Sequence, residues 1–183
     1  MSYLVGTCLV AMPGAKLGEL ERTVIYICGH DEKGAMGIII NQPVPSLSFA
    51  EVAAQLKLDV SIKQAVPLFH GGEFEGGRGF VLHTPSEPFG QSKLIKDEIH
   101  LTTSIDILLK IAEGQGPQKF LFALGYTGWE AGELDEEMKS NKWLTTDCDA
   151  ELLFFPEASQ KWPFALRRIG VNETNISSEY GSA

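Results

Sequence analysis

The stretch from Thr23 to Asn41 reads TVIYICGHDEKGAMGIIIN, two apolar runs on either side of a polar turn. Thr23 to Cys28 is rich in β-branched and aromatic side chains, which fit a pleated, buried surface. Ala35 to Ile40 is a second such run, ending at Asn41. Between them His30-Asp31-Glu32-Lys33-Gly34 is polar and turn-like, and so short a connection predicts a hairpin. Upstream, Leu4 to Met12 is a third apolar run that Pro13 and Gly14 interrupt, so it reads as a strand leading into a loop.

Downstream the period changes. Ser48 followed by Glu51 is a capping box, and Phe49, Val52, Ala53 and Leu56 have helical spacing, which predicts a helix ending near Lys57. Val66 to Phe69 and Gly79 to His83 read as short strands joined by the glycine-rich segment His70 to Arg78. Pro85 and Pro88 break regular pairing after them. Ser104 can cap a helix over Ile105 to Glu113, with Gly114, Gly116 and Pro117 stopping it. Phe120 to Leu124 reads as a buried strand, Gly125 to Gly128 as a turn against which Trp129 packs, and Glu130 to Ser140 as an acidic helix ending at Asn141. Trp143 to Thr145 and Glu151 to Phe155 look extended. Ser159 to Ile169 looks helical, with Pro163 in the first turn.

Strands cluster early and alternate with helices later, so the pattern predicts a mixed α+β fold rather than a regular parallel α/β design. Residues 1–171 are expected to form a single domain and 172–183 a polar, flexible tail. With 183 residues and 44% hydrophobic side chains, the chain can bury a sizeable core. Fifteen Lys and Arg face 24 Asp and Glu, a net charge of -9, which disfavours direct nucleic-acid binding over a broad surface. No apolar run reaches the roughly 20 residues a membrane helix needs, so no membrane insertion is expected. The run from Tyr3 to Pro13 lacks a basic residue before it and reads as a strand rather than a signal peptide. Cys8, Cys28 and Cys148 are odd in number and irregularly spaced, which predicts reduced thiols and a cytoplasmic setting.

Several short motifs carry a family resemblance. They are Val10-Ala11-Met12-Pro13, Tyr26 to His30 and Gly34 to Pro43, followed by Gly79 to His83, Thr102-Thr103-Ser104, Leu124 to Trp129 and Asn141 to Leu144. Trp162 and Ile169-Gly170-Val171 complete the series, so the match is collinear from about Leu4 to Val171. In this order the motifs resemble the AlgH-like, or YqgE/AlgH, family. That resemblance implies a compact α+β fold whose strongly bent sheet forms a partly barrel-like body with helices around it. It transfers no catalytic residue. The family name comes from a protein linked to control of alginate production, which implies a regulator of transcription. Two positions depart from the pattern: Gly29 stands where relatives often carry Glu, and Glu73 where Pro is common.

Three places carry candidate chemistry. Cys28 and His30 would share a face if they continued one strand, which suits an activated thiolate, but Cys28 ending an apolar run also suits a small core side chain. His70, Gly71, Gly72 and Arg78 lie in the glycine-rich connection, where backbone N–H groups and a guanidinium suit an anion. A turn needs the same glycines, and the segment lacks the Gly-Lys-Ser/Thr end of a phosphate loop. His83 could assist acid-base chemistry near neutrality. Tyr126 and Trp129 can line a pocket or lock the next helix onto the sheet. No metal motif and no cofactor signature is present. The functional expectation is a regulatory or ligand-binding protein with a protein or small-molecule partner. The alternative is an enzyme with a cleft built from Cys, His and Arg.

Overall fold

A computed structural model describes residues 3–172. The expected hairpin is present: β2 (Val24–Asp31) pairs antiparallel with β3 (Gly34–Ile39), with a bulge between Ile27 and Gly29. The β1 strand (Thr7–Ala11) lies between β2 and β9 (Trp143–Asp147). On the other side of β3 runs β8 (Phe120–Glu130), eleven residues long, followed by β5 (Phe74–His83), β7 (Ile99–Thr102) and β6 (Ser92–Lys96). The short strand β4 (Leu68–His70) joins β8 in parallel and makes the otherwise antiparallel sheet mixed.

The segment Gly125 to Gly128 is not the expected turn. It continues β8, whose first half pairs with β5 and whose second half pairs with β3. Gly125, at φ +76°, lets the strand bend between the two partners, a conformation that costs little without a Cβ. The acidic helix is correspondingly shorter, α3 (Glu133–Lys139), starting after Gly132 at φ +75°. Beyond Pro85 and Pro88, β6 and β7 form a further antiparallel hairpin that the sequence pattern does not announce.

Sheet curvature divides the core into three. The concave side holds Val10, Tyr26, Ile38, Leu82 and Ala123, packed against Leu152, Trp162 and Leu166 of α4 (Ala150–Phe154) and α5 (Ala158–Ile169), which close one end of the curl. On the convex side, α1 (Phe49–Gln55) and α2 (Ile105–Ala112) cover Val81 and Phe122. Also outside the curl, Leu134 of α3 packs with Ile25, Ile39, Trp129 and Trp143. The capping box of α1 is formed by Ser48 and Glu51. The described residues thus form a mixed α+β half-barrel with five α-helices.

Three further expectations are corrected. Residues 150–154 are helical because Asp149 caps them, its Oδ1 accepting from Leu152 N at 3.0 Å. Pro163 sits inside α5 rather than in its first turn, because the helix begins earlier, at Ala158. Cys8 and Cys148 are joined in a disulfide, their Cα atoms 5.3 Å apart, leaving Cys28 the free thiol. They stand 140 positions apart in the chain, a separation that carries no local signal of pairing, and the pairing of β1 with β9 brings them together. That bond removes the thiol argument for the cytoplasm. Among the described residues no helix is long and apolar enough to cross a membrane. Apart from Asn172, the expected tail lies outside the described residues.

Candidate functional site

The end of the curl that α4 and α5 leave uncovered is an open groove of about 1270 Å³. Its floor comes from the concave faces of successive strands: Met36 on β3, Tyr126 and Gly128 on β8, Phe80 on β5 and Leu101 on β7. Phe74 opens β5, directly opposite Tyr126, and is 50% exposed. Its ring stacks on Tyr126 at 5.5 Å, Tyr126 meets the edge of Phe80 at 5.7 Å, and the Arg78 guanidinium lies 5.5 Å over Phe80. The result is a continuous ladder of three rings and a cation, an arrangement that offers both π faces and positive charge. Arg78 is half-exposed, donates to Thr103 Oγ1 at 3.3 Å and meets Glu75 at 3.5 Å.

A break in register places this ladder. Phe74 pairs with Tyr126 and Gly79 with Leu124, so residues 75–78 bulge out opposite the single Gly125. Glu75 takes a left-handed φ of +48°, while added Cβ atoms on Gly76 and Gly77 would meet open space. The bulge projects Phe74 and Arg78 over the groove.

Four of the sequence candidates meet at this groove: His30, Arg78, Tyr126 and Trp129. Trp129 contributes at its edge, since its indole is buried against α3 and donates to Glu137 Oε2 at 2.9 Å. His30 Nδ1 accepts from Leu4 N at 3.2 Å, and its ring meets Tyr3 edge-on. The others lie elsewhere. Cys28 is buried in the concave core, its thiol donates weakly to Tyr26 O at 3.7 Å, and burial pushes it up to about 12. At neutral pH it is a protonated core side chain rather than a nucleophile. The bulge after Ile27 breaks the strict alternation on which pairing Cys28 with His30 rested.

His83 is buried and lies beyond Leu82, on the convex side with Phe89. Its Nδ1 donates to Thr84 O at 2.8 Å, Nε2 bonds Thr102 Oγ1 at 2.7 Å, and its ring stacks on His100. Burial, followed by the nearby His100, lowers its pKa against the opposing Thr84 bond. His70 is exposed at the end of β4. Gly71 and Gly72 are buried where the chain crosses β8: added Cβ atoms would come within 2.2 Å of Gly125 O and 2.1 Å of the Tyr126 carbonyl carbon. These glycines allow a backbone crossing and do not open an anion cradle.

The sequence reading missed Phe74 and Lys93, although Phe74 is the one large apolar side chain in a run of Gly, Glu and Arg. Among the described residues no group of three or more His, Cys, Asp or Glu is placed to hold a metal.

The comparisons with known proteins agree with this architecture. A UPF0301 protein of Pectobacterium carotovorum is 42% identical over 180 residues, 96% of each chain. One from Rhodospirillum rubrum is 42% identical, covering 99% of this chain and 95% of the relative. The solution structure of the AlgH protein from Pseudomonas aeruginosa superposes with a TM-score of 0.81 at 39% identity, covering 100% of this chain and 97% of that one. Protein DIP2367 of Corynebacterium diphtheriae shares the fold, with a TM-score of 0.73 at 16% identity. The AlgH-like family description matches residues 8–174, and the chain belongs to that family.

Proposed function

We propose that this chain works by binding, with the open groove as the place where it receives its partner, and that any regulatory effect passes through that partner. The observation that carries this reading is the ladder from Phe74 through Tyr126 and Phe80 to Arg78. A half-exposed Phe74 stacked on Tyr126, in a ladder that ends on the Arg78 guanidinium, is the kind of anchor that dominates binding surfaces, and leaving it in water has a cost that occupation removes. The buried, protonated Cys28 and the convex position of His83 weigh against the alternative of a Cys/His/Arg enzyme cleft. Direct readout of DNA is disfavoured by the lining itself. Five carboxylates face it, from Asp31, Glu73, Glu75, Glu130 and Glu133, against Lys33, Arg78 and Lys93.

The test is a paired substitution, Phe74→Ser with Arg78→Gln, in the full chain. Both side chains are exposed, so the unfolding midpoint should stay within the spread of repeat measurements. Quantitative comparison of what the tagged parent and variant retain from their native cells should show a component lost with the variant. Equal retention by both proteins contradicts the reading.

A further inference from the structure

The groove's size, openness and charge layout name the class of its occupant. We propose that it takes an extended peptide segment of another protein, about seven residues long, with basic side chains at one end, an apolar or aromatic side chain in the middle, and acidic side chains or a free carboxylate at the other. This rests on the groove being the binding site.

Length comes first. The lining runs from Lys93 on β6 to Asp31 on β2, across β7, β5, β8 and β3. Five strand spacings at about 4.8 Å give roughly 24 Å of sheet arc, and an extended chain rising about 3.3 Å per residue covers it with about seven residues. A metabolite is a poor fit, because small-molecule pockets of roughly 300 to 1,000 Å³ enclose most of their ligand. This trough is larger and open to solvent. A peptide needs no such enclosure, since it is anchored at a few side chains.

Charge comes second. At the tip of the β2–β3 hairpin, Glu130 pairs with Gly34, and Glu133 Oε2 accepts from Glu130 N at 2.8 Å. With Asp31 they place three carboxylates at this end against one cation, Lys33. At the far end, Arg78 and Lys93 stand with the neutral Gln91 and Thr103, opposed by Glu75 alone. Between the ends lie Met36, Tyr126 and Phe74, with Glu73, next to Phe74 in the chain, the one carboxylate of this middle stretch. A net negative end, an aromatic floor and a net positive end are complementary to the proposed peptide in that order. Matching potentials fix the register of such a segment. A nucleic acid strand, carrying one sign of charge throughout, meets repulsion over the hairpin end.

The experiment uses the full chain and three synthetic heptapeptides of identical composition, KKVFVEE, EEVFVKK and EKVFVKE, with capped termini. Two carry segregated charge in opposite chain directions, and the third mixes it. Affinities are measured by calorimetry at low and high salt, and amide NMR shifts report where each peptide sits. At least one segregated peptide should bind about tenfold more tightly than the mixed one, lose that advantage at high salt, and move the Gly128 and Phe74 amides. Arg78→Glu with Lys93→Glu should abolish the preference and favour a fourth, all-basic peptide, KKVFVKK. The exposed positions of both residues leave the fold intact, which the same spectra verify. Equal affinity for all three peptides in the groove overturns the charge pattern and leaves the binding site standing. Shifts confined to residues outside the groove, or no binding by any peptide up to millimolar concentration, overturn the peptide proposal. The paired Phe74 and Arg78 substitution then decides separately whether the groove binds anything.

Discussion

Trp129 and Trp143 donate their indole N–H groups to the same carboxylate oxygen, Oε2 of Glu137, at 2.9 and 2.8 Å. The two rings come from β8 and β9, which are not neighbours in the sheet, and the carboxylate from α3 bridges them. Lys142 completes the set, its Nζ 3.1 Å from Oε1. Glu137→Ala strands two largely buried donors and should lower stability by about 3 kcal/mol, since an unsatisfied buried donor costs roughly 1 to 3 kcal/mol. Burial alone raises the pKa of Glu137, but the bonds from Trp143, Trp129 and Lys142 outweigh it and hold the carboxyl below its ordinary 4.5. Its stabilisation is therefore present above pH 4.5 and fades as pH falls through the lower folded value. Urea unfolding at pH 7 and pH 3.5 checks both statements. A Glu137→Ala deficit that does not shrink at the lower pH contradicts them.

Lys161 predicts a pH dependence of opposite sign. It is 3% exposed on α5, donates to Ile40 O at 2.9 Å and lies over the Phe69 ring. Desolvation by burial pushes it down to about 7. An unfolded lysine keeps its proton to about pH 10.4. Above about pH 7 the unfolded chain thus binds more protons than the folded one, and stability rises with pH. The comparison belongs between pH 7 and 9, because Cys28, held protonated to about 12, works the other way above its ordinary 9. The urea midpoint of the parent should climb over this interval while that of Lys161→Met stays level. Parallel lines for the two proteins would show that the buried amine does not titrate there.

The disulfide gives a third prediction. Alkylation after denaturation without reductant should modify Cys28 alone, and prior reduction should expose Cys8 and Cys148 as well. Breaking a loop of this length should cost about 5 kcal/mol on the chain-entropy account. Three thiols alkylated without reductant would contradict the pairing.

Much of the fold was legible where local signals act alone. The hairpin around His30 follows from β-branched runs, and α1 from the reciprocal bonds of Ser48 and Glu51. What failed depended on partners distant in the chain. Nothing local to Gly125 says that β8 exchanges β5 for β3 there, so a strand bend reads as a turn. The candidate site was legible to a similar degree. Arg78 and Tyr126 stand out as a charge beside glycines and an aromatic after a strand, and both line the groove. Cys28 and His83 stand out equally, but which face of the sheet each occupies is set by the Ile27 bulge and by the alternation along β5. Gly71 and Gly72 read as an anion cradle because sequence cannot show the β8 backbone that fills the space beside them.

The groove as a binding surface is most directly tested by placing photoactivatable p-benzoylphenylalanine at Phe74 and, as a control, at Phe155, in native cells. Phe155 is 64% exposed, more so than Phe74, but lies on the α4 side of the molecule, away from the groove. Its reactivity therefore measures chance encounters with a solvent-facing ring. The account predicts a discrete adduct from position 74 that is absent from position 155 and that disappears when Arg78→Gln is added. Equal cross-linking from both positions, or none from position 74, would contradict it.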